Sequence, residues 1–170
     1  MSEPLFDKDI FRRTLQGLLG GEPLQHRETI DAVERWMDSG KVGLILMGSV
    51  GTGKTTIAYA LRRAWTCFLT IARLYKCDWI AEQMRQDETW KFEIADNKGL
   101  LILDDFGTEP KVYGTESLPS ILFRRYENRM PTIITTNLNS EQIKERYGER
   151  IADRLRTYEK VVLNYSSLRK

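Results

Sequence analysis

The stretch Gly48-Ser49-Val50-Gly51-Thr52-Gly53-Lys54-Thr55 carries a glycine, four residues and then Gly-Lys-Thr, the spacing of a loop that wraps phosphates. Glycines let backbone N–H groups curl around an anion, and a helix beginning at the loop's end adds partial positive charge. In such a loop Lys54 reaches the β- and γ-phosphates and the Thr55 hydroxyl ligates Mg²⁺, with Thr56 closing the phosphate-binding stretch. A chance glycine-rich turn is the plain alternative, and the flanks argue against it. Val42 to Met47 is a short apolar run that reads as a buried parallel strand. Thr55 to Leu61 continues as a helix with Ile57, Ala60 and Leu61 on one face. The expectation is a chain that binds a nucleoside triphosphate.

Leu100-Leu101-Ile102-Leu103-Asp104-Asp105 is the second chemical landmark. An apolar run ending in paired acids describes a buried strand that delivers carboxylates to its C-terminal edge, where α/β sheets hold their ligands. Asp104 suits Mg²⁺, held through its water shell, and Asp105 suits orienting or deprotonating an attacking water. Two adjacent anions are tolerable because a bound cation and Lys54 stand nearby. Thr132-Ile133-Ile134-Thr135-Thr136 reads as another buried strand, with Asn137 at its end. There a neutral amide can position the lytic water or sense the γ-phosphate, or simply cap a turn. Arg150 and Arg154 lie four apart and share a helix face. With Glu149 and Asp153 beside them they make either a salt-bridged surface or a source of arginine for a neighbour's γ-phosphate.

The remaining elements must position these groups. Residues 5 to 19 and 25 to 38 read as two amphipathic helices, the first carrying a stripe that could dock on its own domain or on a partner. His26, the only histidine, reads as solvated, with a place near the nucleotide base as the alternative. Cys67 to Ile71 reads as a short strand. Residues 76 to 87 and 89 to 97 read as helices whose Trp79, Trp90 and Phe92 serve either as cover for the core or as platforms for nucleic-acid bases. Residues 106 to 115 read as a loop and 116 to 130 as a helix. Residues 140 to 156 read as helix broken at Gly148, and 161 to 163 as a last strand. This divides the chain into a helical extension over 1–40 and a nucleotide-binding domain over 41–170.

Composition bounds the rest. A chain of 170 residues with 41% hydrophobic and 29% charged residues suits one globular domain with a proper core. The net charge of +2 does not argue for nucleic acid. Residues 116 to 170 hold 11 Lys and Arg against 7 Asp and Glu, which suits phosphate contact or a subunit interface. Cys67 and Cys77 have neither the spacing nor the neighbours of a metal site and read as reduced, partly buried thiols. No signal peptide and no apolar run of transmembrane length is present, which predicts a cytoplasmic protein with no membrane partner.

Assembled, these motifs resemble the AAA+ ATPases of the DnaC/IstB type, bacterial replicative helicase loaders and transposon-encoded ATPases. The likeness is carried by Gly48 to Thr55, Leu100 to Gly107, Tyr126 to Leu138, Gly148 to Arg156 and Ser167 to Arg169. It implies an α/β P-loop NTPase with an AAA+ core, a central parallel β-sheet flanked by helices, and ATP with Mg²⁺ as cofactors. It implies Walker A roles for Lys54 and Thr55 and Walker B roles for Asp104 and Asp105. Asn137 resembles sensor 1, and Arg169 resembles sensor 2. Arg154 resembles an arginine finger acting in trans, with Arg150 as the competing assignment. The implied partners are further copies of the chain, a replicative helicase, and single-stranded DNA along residues 76 to 97. A transposition ATPase, or an ATP-gated DNA-binding adaptor with incidental hydrolysis, is the alternative function. A small-molecule kinase is disfavoured, because no arginine-rich lid insertion and no acceptor pocket is visible. The sequence departs from the pattern in three places. Only about 40 residues precede the first strand, so the separate helicase-binding domain of full-length loaders is expected to be absent or reduced to 5–38. The second Walker B acid is Asp105 rather than glutamate, which suits a slower hydrolase. A full C-terminal helical lid is not expected after Arg169.

Overall fold

The computed structural model describes residues 5–20, 27–67, 70–87, 89–110 and 114–164. Five short runs form its sheet: β1 (Gly43–Gly48), β2 (Arg73–Lys76), β3 (Leu101–Phe106), β4 (Thr132–Thr136) and β5 (Glu159–Leu163). All pairings are parallel, in the order β2-β3-β4-β1-β5. Successive strand side chains point to opposite faces, so apolar runs buried on both sides need helices on both. Leu44, Leu46, Ile102, Ile133 and Val161 face one layer, made by α1 (Lys8–Leu18), α2 (Arg27–Asp38) and α3 (Lys54–Ala64). Ile45, Met47, Leu101, Leu103 and Ile134 face the other, made by α4 (Cys77–Gln86), α5 (Trp90–Asp96), α6 (Gly114–Glu127), α7 (Ser140–Tyr147) and α8 (Glu149–Leu155).

One expected strand is displaced. The second strand runs over Arg73–Lys76 rather than Cys67 to Ile71. Among the described residues it is an edge strand paired only with β3. Half its surface is wet, so Arg-Leu-Tyr-Lys satisfies it, and the more apolar Cys-Phe-Leu-Thr-Ile run upstream misleads.

The stripe on α1 docks on its own domain. Asp7 caps the helix by accepting from the N–H groups of Asp9 and Ile10 at 2.8 and 2.9 Å. Phe11 and Leu15 are buried with α3, and Phe6 packs between Trp36 and Trp65 at centroid distances of 5.2 Å. Arg12 on α1 forks onto Glu34 on α2 through two bonds of 2.6 Å.

At the amino edge of the sheet, Arg125 of α6 is fully buried. Its guanidinium donates to the carbonyls of Asn97, Gly99 and Pro131 at 2.7, 2.8 and 2.8 Å and to the Thr132 hydroxyl at 2.9 Å. The α5–β3 and α6–β4 connections are thereby tied together. Burial pushes its pKa down to about 10.

In α4 and α5 the core side chains are aliphatic and two of the aromatics lie at the surface. Ile80, Met84 and Ile94 are core, whereas Trp79 and Phe92 are 39% and 49% exposed. Trp79 stacks on Tyr75 at 5.3 Å and meets Trp90 edge-on at 5.4 Å. Cys77 is buried and its thiol pKa is pushed up by burial. Among the described residues no helix is long and apolar enough to cross a membrane.

Candidate nucleotide-binding site

β1, β3 and β4 all end at one edge of the sheet, and each delivers part of the site there. β1 runs into the glycine loop. Gly48 is required by contact: a Cβ there would lie 2.5 Å from the Leu163 carbonyl oxygen of β5. Gly51 and Gly53 turn the loop with φ of 85° and 90°, and Gly53 caps α3. The Thr52 hydroxyl closes the turn onto the Ser49 carbonyl at 3.0 Å. Lys54 is buried at the start of α3, and its ammonium donates to the carbonyls of Gly48 and Ser49 at 2.8 and 2.7 Å. A cation is thus held across the loop mouth by weak carbonyl partners that a phosphate can replace. Burial lowers the Lys54 pKa, with Asp105 and Asp104 opposing.

β3 delivers the acids, and it does so through a bulge. Leu103 pairs with Ile134 and Phe106 with Thr136, so three steps along β3 oppose two along β4. The odd residue is Asp105, with φ of 56°. In a regular strand adjacent side chains diverge to opposite faces, whereas a bulge re-aims one of them. Asp104 is buried, and the Thr55 hydroxyl donates one forked hydrogen bond to its two oxygens, at 2.9 and 3.2 Å. The Thr135 hydroxyl donates to Asp104 Oδ1 at 2.6 Å and accepts from the Asp105 N–H at 2.9 Å. Asp105 is only partly buried. Desolvation and then repulsion by Asp104 raise its pKa, and Lys76 and Lys54 oppose the rise.

The Thr55 hydroxyl and the Asp104 carboxylate offer hard oxygen donors of the kind Mg²⁺ accepts alongside water and phosphate. Among the described residues no cluster of three or more His, Cys, Asp or Glu could hold a metal. A cation here would complete its shell from water and phosphate oxygens, as Mg²⁺ does.

Other expected residues lie at varying remove. Asn137 follows the last residue of β4 and is exposed at the same sheet edge. The turn-capping role falls to Asn139, which forms a capping box with Gln142. Arg150 and Arg154 lie on α8, on the face of the sheet opposite α3. Arg150 is exposed, whereas the Arg154 guanidinium lies 4.0 Å over the Phe123 ring and 5.6 Å from Tyr126. Its Nη1 donates to the Arg150 carbonyl at 3.1 Å and its buried Nε has no partner. Arg169 and His26 lie outside the described residues.

Two groups escape a reading by motif. Thr135 was visible only as part of a buried strand, although a threonine at the same depth as the acid on a neighbouring strand is a usable sign. Glu109, Arg146 and Tyr147 come together from segments far apart in the chain, and no local spacing announces them.

A family model described as IstB-like ATP binding protein matches residues 28–170. The chain belongs to that family. It is 30% identical over 145 residues to the replicative helicase loader DnaC of Escherichia coli strain K12, an alignment covering 78% of this chain and 58% of DnaC. The chain therefore spans somewhat over half the length of the curated relative it matches. Among solved structures, that of the DnaC helicase loader superposes with a TM-score of 0.71 at 21% identity, covering 84% of this chain and 92% of that one. DnaI superposes at 0.72 with 22% identity, covering 96% and 94%. The initiator DnaA bound to AMPPCP and single-stranded DNA superposes at 0.72 with 19% identity, covering 91% and 50%. The parallel five-stranded sheet and these likenesses establish the family's AAA+ P-loop fold.

Proposed function

We propose that this chain binds and hydrolyses ATP with Mg²⁺ and works as a DnaC-like loader of a replicative helicase. The observation that carries the reading is the hydrogen-bonded set Thr55, Asp104, Thr135 and Asp105 at the carboxyl edge of the sheet, with Lys54 held on the loop carbonyls of Gly48 and Ser49 at the start of the same helix. Gly48 to Thr56 would cradle the triphosphate, Thr55 and Asp104 would hold Mg²⁺, and Lys54 would pair with the β- and γ-phosphates. The metal supplies charge neutralisation of the phosphate oxygens. Asp105 takes a proton from the attacking water, which Asn137 helps to orient.

Arg154 completes the pocket of an adjoining copy, with Arg150 as the competing donor and Arg169 closing on the γ-phosphate within its own chain. Self-assembly follows, because each site is incomplete alone. Residues 41–170 then form the ATPase domain and 1–40 a helical extension laid upon it. Single-stranded DNA is read along α4 and α5, a reading supported by exposed Trp79 and Phe92 and by Lys91 and Arg124 over the Phe92 ring at 5.2 and 5.6 Å. Such a protein works in the cytoplasm.

The match to the IstB-like family favours a second reading, an ATP-gated transposition or DNA-binding adaptor whose turnover is incidental. ATPase rates measured alone, with single-stranded DNA, with double-stranded DNA and with a hexameric replicative helicase separate the two. Stimulation by helicase and single strands supports the loader. A preference for duplex DNA with no helicase response supports the adaptor, and absence of nucleotide binding defeats both.

A further inference from the structure

Just beyond the bulge in β3 stands another carboxylate, Glu109. The Glu109 side chain is wholly buried, its side-chain exposure 0%. Oε2 accepts from the Gly107 N–H at 3.0 Å. Oε1 accepts from Arg146 Nε and Nη2, both at 3.4 Å, and from the Tyr147 hydroxyl. The same Arg146 also donates to the Glu109 backbone carbonyl. Four donor groups, from three residues in two places in the chain, converge on one buried anion.

These contacts begin two residues beyond Asp105. The Asp105 carbonyl accepts from Thr108 N–H at 3.1 Å and from its hydroxyl at 2.8 Å, so residues 105 to 109 form one tight turn. Gly107 lets that turn press on the connection between β4 and α7: its φ is 105°, and a Cβ would lie 2.5 Å from Leu138 Cδ1. Phe106 stacks on Tyr147 at 4.3 Å with an interplanar angle of 22°. Arg146 and Tyr147 form the last turn of α7, and Gly148 follows as the joint into α8, which carries Arg150 and Arg154. A strained residue at φ 56° persists only where its surroundings over-determine it.

We propose that Glu109 is a positioning residue for Asp105, and that through Arg146 and Tyr147 it ties the acid-bearing turn after β3 to the α7–α8 arm. The proposal rests on the hydrolytic role given to Asp105 above. Glu109 is wholly buried and spends its oxygens on Gly107, Arg146 and Tyr147. It fixes the turn from which the Asp105 carboxylate is aimed, and it makes that turn and the arginine-bearing arm one mechanical unit.

The test uses the full chain with Glu109→Ala and Glu109→Gln, the latter keeping an acceptor for the Gly107 N–H. Three quantities are read: affinity for a nonhydrolysable ATP analogue, steady-state kcat, and hydrogen exchange at the Gly107 amide. The expected result is a kcat lower by about tenfold or more in Glu109→Ala. Analogue Kd should stay within about twofold, the signature of a loss outside ground-state binding. Gly107 exchange should quicken, and Glu109→Gln should recover part of both losses. In an Asp105→Asn background, Glu109→Ala should leave kcat where it already is, because the two act as a unit. Equal losses of affinity and kcat, unchanged kcat and exchange, or additive losses in the double variant would each overturn the assignment. Wild-type protein that binds the analogue yet never turns ATP over defeats the hydrolytic reading itself, whereas turnover indifferent to Glu109 defeats only this inference.

Discussion

The Thr135 hydroxyl sits 2.6 Å from Asp104 Oδ1 and receives the Asp105 N–H at 2.9 Å, so one side chain of β4 serves both acids of β3. It replaces the ladder bond that the bulge removes and satisfies a carboxylate that is otherwise out of water.

Thr135→Val keeps the shape and removes the oxygen. The Asp105 N–H loses its acceptor and the buried Asp104 carboxylate keeps only the Thr55 hydroxyl, at a cost of about 1–3 kcal/mol in unfolding free energy. Thr135→Ser retains the hydroxyl and should recover most of that. Urea melts of the three proteins, with Mg²⁺-dependent ATP turnover alongside, check both points. A valine variant as stable and active as the parent removes Thr135 from the site.

Asp105 is held above its ordinary carboxyl value of 3.8 by burial and by Asp104. A raised carboxyl pKa means that the fold disfavours the ionised form. The penalty is absent below the unfolded value and present once pH exceeds the folded one. Asp105→Asn removes it, and asparagine tolerates positive φ. Melting temperature should therefore rise by about 2–4 °C at neutral pH, a small gain because the group is partly exposed. The gain should vanish in acid. Turnover should be lost. Calorimetry at both pH extremes decides it.

Lys54 lies on the other side of the ordinary scale, its ammonium lowered from 10.5 by burial. Only the protonated form pairs with phosphate. Affinity for an ATP analogue should thus fall as pH rises through that lowered value, earlier than for a solvated lysine. Lys54→Arg stays charged throughout and should lose this alkaline limb while binding more weakly overall. An identical alkaline limb in both proteins would show that another group titrates.

Arg154 must leave the Phe123 ring, 4.0 Å beneath it, before it can serve a neighbouring site. Arg154→Ala should retain analogue binding and lose the stimulation of ATPase by assembly, an effect of up to about 10³–10⁵ for an arginine supplied in trans. Rates followed against protein concentration show it. A concentration dependence that survives in Arg154→Ala but disappears in Arg150→Ala transfers the role to Arg150.

Phe92 offers an exposed ring flanked by two cations. Phe92→Ala should weaken binding of a fluorescent single-stranded oligonucleotide by about 1–3 kcal/mol, the value of one stacked base. Unchanged affinity would place any strand elsewhere.

The glycine loop between strand and helix, the acid pair at a strand's end and the parallel α/β plan were determined by the sequence alone, because each depends on near neighbours. A glycine at a fixed step from a lysine, or an apolar run ending in carboxylates, acts through backbone geometry over a few residues. The second strand was misjudged for the opposite reason: an edge strand needs little apolar character, so its sequence scarcely differs from a loop. Only the tertiary structure could decide that α1 packs on α3 and that the bulge at Asp105 turns both acids to one site. Arg154 over Phe123, and Glu109 met by Arg146 and Tyr147, were likewise beyond the sequence. Those relations join segments tens of residues apart, and their energies come from burial and hydrogen-bond satisfaction, which exist only once the layers have closed.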